Sequence, residues 1–345
     1  MTRAAVGRDH YAYGLRLVTN HRFRFHLAAD PPVDAPTLRF ELVRDSPLAA
    51  RWDADGPVFT TAAGTEETAG LQAFDLGEVK VLRFLDACDF FLFVGEGRRG
   101  EGRIACHLRD EDYRFAIDIW LMGTVLALWL ELSGTPVLHA SAVEVGAVGA
   151  GTFPSAAIGF LATSKGGKSS LAATLMRRGN RLLSDDNVAL RGGQGGEWLA
   201  VPSYPQMRMW PDQAAHFLGA ERAGRLERVQ PSNPKLMVPV GPGGFGGFYS
   251  DAVPLRALYL PERVIGFGGV QVERLPLAEA LIELVRNTFL FEVVEAFGLM
   301  QARFGAFGDL LRTVPVLRLR YREGLDQLDG VAAQIEVLSS NAAAS

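Results

Sequence analysis

Between Tyr11 and about Leu108 the chain alternates short apolar runs with polar and turn residues, as in LRFELV (38–43), KVLRFL (80–85) and FFLFVGEG (90–97). Alternation over four to eight positions marks half-buried strands, and Pro31, Pro32, Pro36, Gly56 and Gly64 punctuate the runs. The pattern predicts a small β-rich lobe. Residues 113–133 then stay apolar for longer than a strand and predict a buried helix that joins this lobe to a second one. Within IDIWLMGTVLALWLELSG (117–134), Asp118 and Glu131 bracket about a dozen uncharged residues, short of the ~20 that span a bilayer. No membrane association is expected.

From Pro136 the texture changes to apolar strands interleaved with helical stretches. VLHASAVEVG and AAIGFLA read as strands, SSLAATLMRRG as a helix closed by Gly179, and RLLSD as a third strand. This order predicts an α/β layer with at least some parallel pairing. GPGGFGGFY (241–249) is too glycine-rich for either element and reads as a mobile loop. Residues 277–304 have helical period, 314–321 read as a strand, and the tail LSSNAAAS reads as frayed. The expected division is a β-rich lobe over 1–133 and an α/β domain over 134–345.

Composition narrows the function classes. Charged residues make up 21% and hydrophobic ones 48%, so a folded, soluble protein is expected. A formal net charge of -4 lacks the basic excess that phosphate-backbone binding draws on, so nucleic acid is not an expected partner. Cys88 and Cys106 stand outside any metal-ligand spacing, and two cysteines in 345 residues fit a reducing compartment. With no apolar stretch behind the N-terminal charges, a cytoplasmic location is the expectation.

The chemistry concentrates in 158–188. Residues 162–169, ATSKGGKS, fit a phosphate-binding loop, with alanine at the opening position where glycine is usual. Such a loop needs a buried strand, small residues whose N–H groups turn inward around a polyphosphate, and a helix with its positive end facing the ligand. Ile158–Leu161 supply the strand, Gly166 and Gly167 the tight backbone, Lys168 the charge for the β and γ phosphates, and Ser169 a magnesium ligand. Thr163, Ser164, Lys165 and Ser170 complete the expected nucleotide cradle. Lys165 either adds a second cation or points into solvent.

Sixteen residues beyond Ser169, RLLSDDNVAL puts Asp185 and Asp186 at the C-terminal end of a buried strand, the sheet edge where ligands sit. Phosphoryl transfer needs one carboxylate to hold magnesium and often another to orient the attacking hydroxyl. Ser-Asp-Asp-Asn is also a turn composition that caps backbone groups. Arg208 and Lys235 follow as further cations for developing phosphate charge, with an ordinary surface role the preferred reading for each. Arg286 lies on an amphipathic helix where it can snorkel, and Phe245, Phe248 and Tyr249 would be the apolar contacts of a lid if the glycine-rich loop closes over the site.

The block His139–Leu190, through HASAVEV, ATSKGGKSS and LMRRGNRLLSDDNVAL, resembles the catalytic domain of the HPr kinase/phosphorylase family. The wider chain, including PSYPQMRMWPD (202–212), resembles its shorter, divergent members, among them kinases of lasso-peptide precursors. That resemblance implies a P-loop kinase domain of the HPr-kinase type, using ATP and Mg2+ to phosphorylate a serine of a peptide or small protein. It implies Asp185 as base, Lys168 and His139 as catalytic, and Ser169 and Asp186 as the metal ligands. The family's acidic residue after the loop serine is here Ser170, and its phosphorolysis signature has no counterpart. The family's rings of subunits leave an oligomer open. Two other functions share the motifs: an ATP-binding regulatory or assembly protein without an acceptor, and a small-metabolite kinase.

Overall fold

The computed structural model describes residues 8–27, 32–48, 52–61, 70–84, 86–95, 101–146, 155–193, 196–231 and 233–342. Pro31, Gly64, Leu85, Glu96, Gly97 and the tail from Ala343, all named above, lie outside them. Contacts divide the chain into two compact units: residues up to Thr135 with Leu290–Gln301, and Pro136–Phe289 with Ala302 onward.

The first unit is a twisted sheet of eight described strands. β1 (Arg8–Ala12), β2 (Leu15–Thr19), β3 (Thr37–Val43), β4 (Phe59–Thr60), β5 (Leu71–Leu76), β6 (Val79–Phe84), β7 (Cys88–Phe93) and β8 (Gly102–Leu108) lie in the order β1-β2-β3-β8-β7-β6-β5-β4. The run CDFFLF is apolar at nearly every position because β7 is central and covered on both faces. Phe90 packs toward Phe40 and Phe84, whose ring stacks 4.4 Å from Trp120, while Phe91 meets Trp52 on the other face.

Trp120 belongs to α1 (Glu111–Leu132), the apolar helix expected from the sequence. It opens as 3-10 helix and carries a π turn over Leu121–Val125. Such a turn disturbs the carbonyl ladder, and the hydroxyl of Tyr13 donates to Met122 O at 2.9 Å. By length and composition alone α1 could cross a membrane, yet 83% of its apolar window is buried inside the protein. Cys88 and Cys106 are free and buried on the sheet, where burial pushes the Cys88 thiol up.

The second unit is built on a mixed sheet between two helical layers. Its first strands are β9 (Val137–Val145) and β10 (Ala156–Leu161), followed by α2 (Lys168–Arg177), β11 (Arg181–Ser184), β12 (Asn187–Gly192) and β13 (Trp198–Val201). Next come β14 (Gln206–Met209), α3 (Pro211–Leu218), β15 (Arg228–Gln230), β16 (Asn233–Pro239), β17 (Gly247–Phe248), β18 (Val253–Val264) and β19 (Val270–Arg274). α4 (Leu277–Arg286), α5 (Met300–Leu310), β20 (Val316–Arg322) and α6 (Leu328–Ala342) complete it. The expected parallel pairing is present in β10-β18-β20, but β9 is antiparallel to β10, β11 and β12. α2 and α6 share one core with Phe160, Val143 and Tyr321, whereas Leu284 of α4 and Phe307 and Leu310 of α5 share the opposite core with Leu138 and Leu258.

Three expectations are corrected. The helical period over 277–304 does not give one helix: α4 ends at Arg286, Thr288 forms a bridge to Leu138, and Leu290 takes a left-handed backbone (φ 53°) before a short helix at Phe291–Ala296. The glycine-rich 241–249 segment is ordered. Phe245 is buried against Phe217, Val240 bridges to Phe245, and β17 pairs with β11, so this stretch is part of the core rather than a lid. The tail is not frayed as far as Ala342, because α6 continues to that residue.

Candidate functional site

Register on β9 brings the two motifs together. β10 and β11 both run antiparallel to β9, and Leu161 pairs with Ala140 while Ser184 pairs with Ala142. Their C-terminal ends therefore finish side by side, so the 162–167 loop that leaves β10 and the aspartates that leave β11 open into one cleft. Its walls also include His139, Arg208, Trp210, Gln213 and Lys235, and it holds about 470 Å³ of space open to solvent.

The loop is compact. Gly166 N donates to Thr163 O at 3.0 Å, and a methyl group added at Gly166 would stand 2.4 Å from Ala162 Cβ and 2.9 Å from Thr163 O. Only glycine fits there. Gly167 takes a left-handed backbone (φ 96°) and caps α2 with no side-chain hydrogen bond, so the first-turn N–H groups of the helix face the cleft. Lys168 is buried, its ammonium donating to the carbonyls of Ala162 and Thr163. Arg263 braces the loop from behind by donating to Lys165 O at 2.8 Å. Ser164, Lys165, Ser169 and Ser170 line the cleft, whereas Thr163 contributes its carbonyl to the loop instead.

Asp185 is buried and held by three donors. Ser141 Oγ at 2.6 Å and Ser169 Oγ at 2.8 Å share its Oδ1, and the backbone N–H of Arg208 reaches Oδ2 at 3.0 Å. Asp186 follows in a left-handed conformation (φ 78°) that lets the chain leave β11, paired with the far half of β9, and enter β12, paired with its near half. Ser184 donates to the carbonyl of Asn187 across this corner, so turn chemistry and carboxylate placement coexist.

Asp186 is an anion among cations. Arg208 Nη1 donates to its Oδ2 at 2.9 Å, and His139 Nδ1 lies 3.4 Å from Oδ1 and 3.1 Å from the Asp186 carbonyl. Both of those partners are acceptors, so Nδ1 carries the proton. Burial alone would raise the Asp186 carboxyl, but Arg208, His139, Lys235 and Lys168 together outweigh it and hold the group down to about 2. Arg208 also reaches the buried Tyr204 hydroxyl at 3.4 Å, and burial raises that phenol.

Several placements differ from what residue order suggested. Asp185, rather than Asp186, lies on Ser169. Arg208, which the sequence left as a surface residue, ties both aspartates, and Ser141 is a buried partner of Asp185 that its sequence context did not single out. Small polar residues inside HASAVEV were the available signal for Ser141. Arg286 pairs with Glu283 one turn back on α4 and is not among the residues lining the cleft. Among the described residues no cluster of three or more His, Cys, Asp or Glu side chains is placed to hold a metal unaided.

No protein-family description matches the chain, and no curated protein matches it. Among solved structures, the HPr(Ser) kinase/phosphatase from Coxiella burnetii is similar over 59% of this chain and 94% of that one, with 10% identity and a TM-score of 0.29. At that score the similarity carries nothing about activity.

Proposed function

We propose that this protein is an ATP- and Mg2+-dependent kinase that transfers the γ-phosphoryl group to a hydroxyl, a serine of a peptide or small protein. The observation that carries the reading is the Ser169 hydroxyl bonded to Asp185 at the mouth of a glycine-tight loop that ends in a buried lysine. Lys168 and the first-turn amides of α2 would bind the β and γ phosphates. Ser169 and Asp185 would hold Mg2+, whose preference for hard oxygen donors they satisfy. The ion supplies charge neutralisation for the transferred group.

On the other side of the pair, Asp186 and His139 would face the acceptor. The acceptor oxygen forms its bond to the γ-phosphorus as the bond to the β–γ bridging oxygen breaks, ADP leaves, and the hydroxyl proton passes to Asp186. A carboxylate with so low a value is a weak base. In a loose transition state the hydroxyl loses its proton late, so orientation by Asp186 matters more than its basicity.

The test is incubation with γ-labelled ATP and serine-containing peptides, beside the Lys168→Ala variant. Label should appear on peptide with wild type and vanish with the variant, whose unfolding transition stays in place. Label found only in released phosphate favours the regulatory ATP-binding alternative, and label on a free hydroxy metabolite the small-molecule one.

A further inference from the structure

One wall of the cleft is not explained by nucleotide chemistry. Trp210 stands where β14 turns into α3, and its half-buried indole lines the cleft. Two ammonium groups from distant parts of the chain converge on that ring. Lys165 Nζ, carried on a left-handed loop residue, lies 4.8 Å from the ring centroid, and Lys235 Nζ, from β16, lies 5.6 Å from it. The two cations are therefore no more than about 10 Å apart.

Like charges at that distance repel. The aromatic face offsets part of the repulsion, since each contact of this kind contributes on the order of 1 kcal/mol. A ligand suited to this arrangement carries an anion between or beside the two ammonium groups. Among the described residues Lys165 has no carboxylate within ion-pair distance. Lys168 turns to the loop carbonyls and Arg208 to Asp186. Lys235 lines the same cleft as Asp186 and His139, the residues read above as facing the acceptor.

We propose that Trp210, Lys165 and Lys235 form a subsite for a carboxylate carried by the acceptor close to its phosphorylated hydroxyl, so that the preferred acceptor is an acidic peptide. This rests on the kinase reading above and names its substrate class. The indole supplies a flat apolar wall for the acceptor backbone, and the paired ammonium groups select the charge beside the serine. A neutral flank would gain nothing from the pair, and a basic one would bring a third positive charge against it.

Tryptophan fluorescence tests this directly. The chain has five tryptophans, so the Trp210 signal is the difference between wild type and Trp210→Phe. Three serine peptides serve as probes, flanked by Glu, by Gln or by phosphoserine, each titrated in the presence of saturating Mg·ADP so that the loop is already filled. The Glu peptide should change the Trp210 signal and bind at least ten-fold more tightly than the Gln peptide, and Lys165→Met and Lys235→Met should each erase that preference.

Equal binding of the Glu and Gln peptides overturns the proposal. So does a Glu peptide that ADP displaces, since the lysines would then belong to the nucleotide. Tighter binding of the phosphoserine peptide than of the Glu peptide overturns the carboxylate assignment in favour of phosphate. Retained acid preference without any phosphoryl transfer supports the subsite and removes the kinase reading, so the two failures are told apart.

Discussion

Replacing Asp186 by Asn probes the electrostatics of the cleft with little change of shape. Asn has nearly the same volume and tolerates the left-handed backbone at this corner, so the substitution removes charge and little else. The carboxyl's fall from its ordinary 3.8 to about 2 corresponds to about 2 kcal/mol, at about 1.4 kcal/mol per pH unit. Its side chain is only 15% exposed, so solvent screening removes a minor part of this. Because the folded value lies below the unfolded one, the stabilisation is complete above about pH 4 and is lost as pH falls through about 2. The Asn variant should be about 2 kcal/mol less stable at pH 7, with a gap that narrows as pH falls below about 4. Urea unfolding of both proteins across that range measures it. A variant as stable as wild type at neutral pH, or a gap that does not narrow below about pH 4, would refute the assignment of this stabilisation to the Asp186 charge.

Other substitutions probe neighbouring parts of the molecule. Gly166→Ala puts a methyl group against Ala162 Cβ and the Thr163 carbonyl, neither able to move without opening the loop, so calorimetry should show Mg·ATP affinity reduced more than ten-fold with little change in unfolding. Ser141→Ala removes one of the three donors to Asp185 at a fully buried position; it should cost about 1 kcal/mol in denaturant unfolding and raise the Mg2+ concentration needed for half-maximal turnover. In the first unit, Trp129→Ala should cost about 3–5 kcal/mol because the indole is fully buried. Trp129→Phe should cost far less by the same thermal or urea measurement, since the buried indole N–H has no partner among the described residues.

The local elements of the cleft were legible because each is written in a short window. Strand AAIGFL, the glycine-tight turn and the helix from Lys168 follow one another in sequence, and Gly179 (φ 103°) marks the helix end as its composition suggested. What a window cannot show is register. Whether Asp185 or Asp186 meets Ser169 depends on the left-handed turn at Asp186 and on β9 serving β11 with one half and β12 with the other. Arg208 was illegible for the same reason: within QMRM it looks like the polar position of an ordinary strand, and only its approach to both aspartates sets it apart. The break inside 277–304 was hidden because apolar period continues through Leu290 although the backbone reverses there. Glycine content misled at 241–249, where close approach to Met176 and Arg181, rather than mobility, calls for residues without side chains.

The return of Leu290–Gln301 to the first unit sets an order on synthesis. Val293 and Val294 of this stretch are buried, so the amino-terminal unit stays incomplete until residues 290–301 have been made. Its last segment follows Pro136–Phe289 of the second unit in the chain, so it cannot close as an uninterrupted amino-terminal bead would. A nick after Thr135 would not release two self-sufficient pieces either, because one fragment would lose those valines and the other would display them to water.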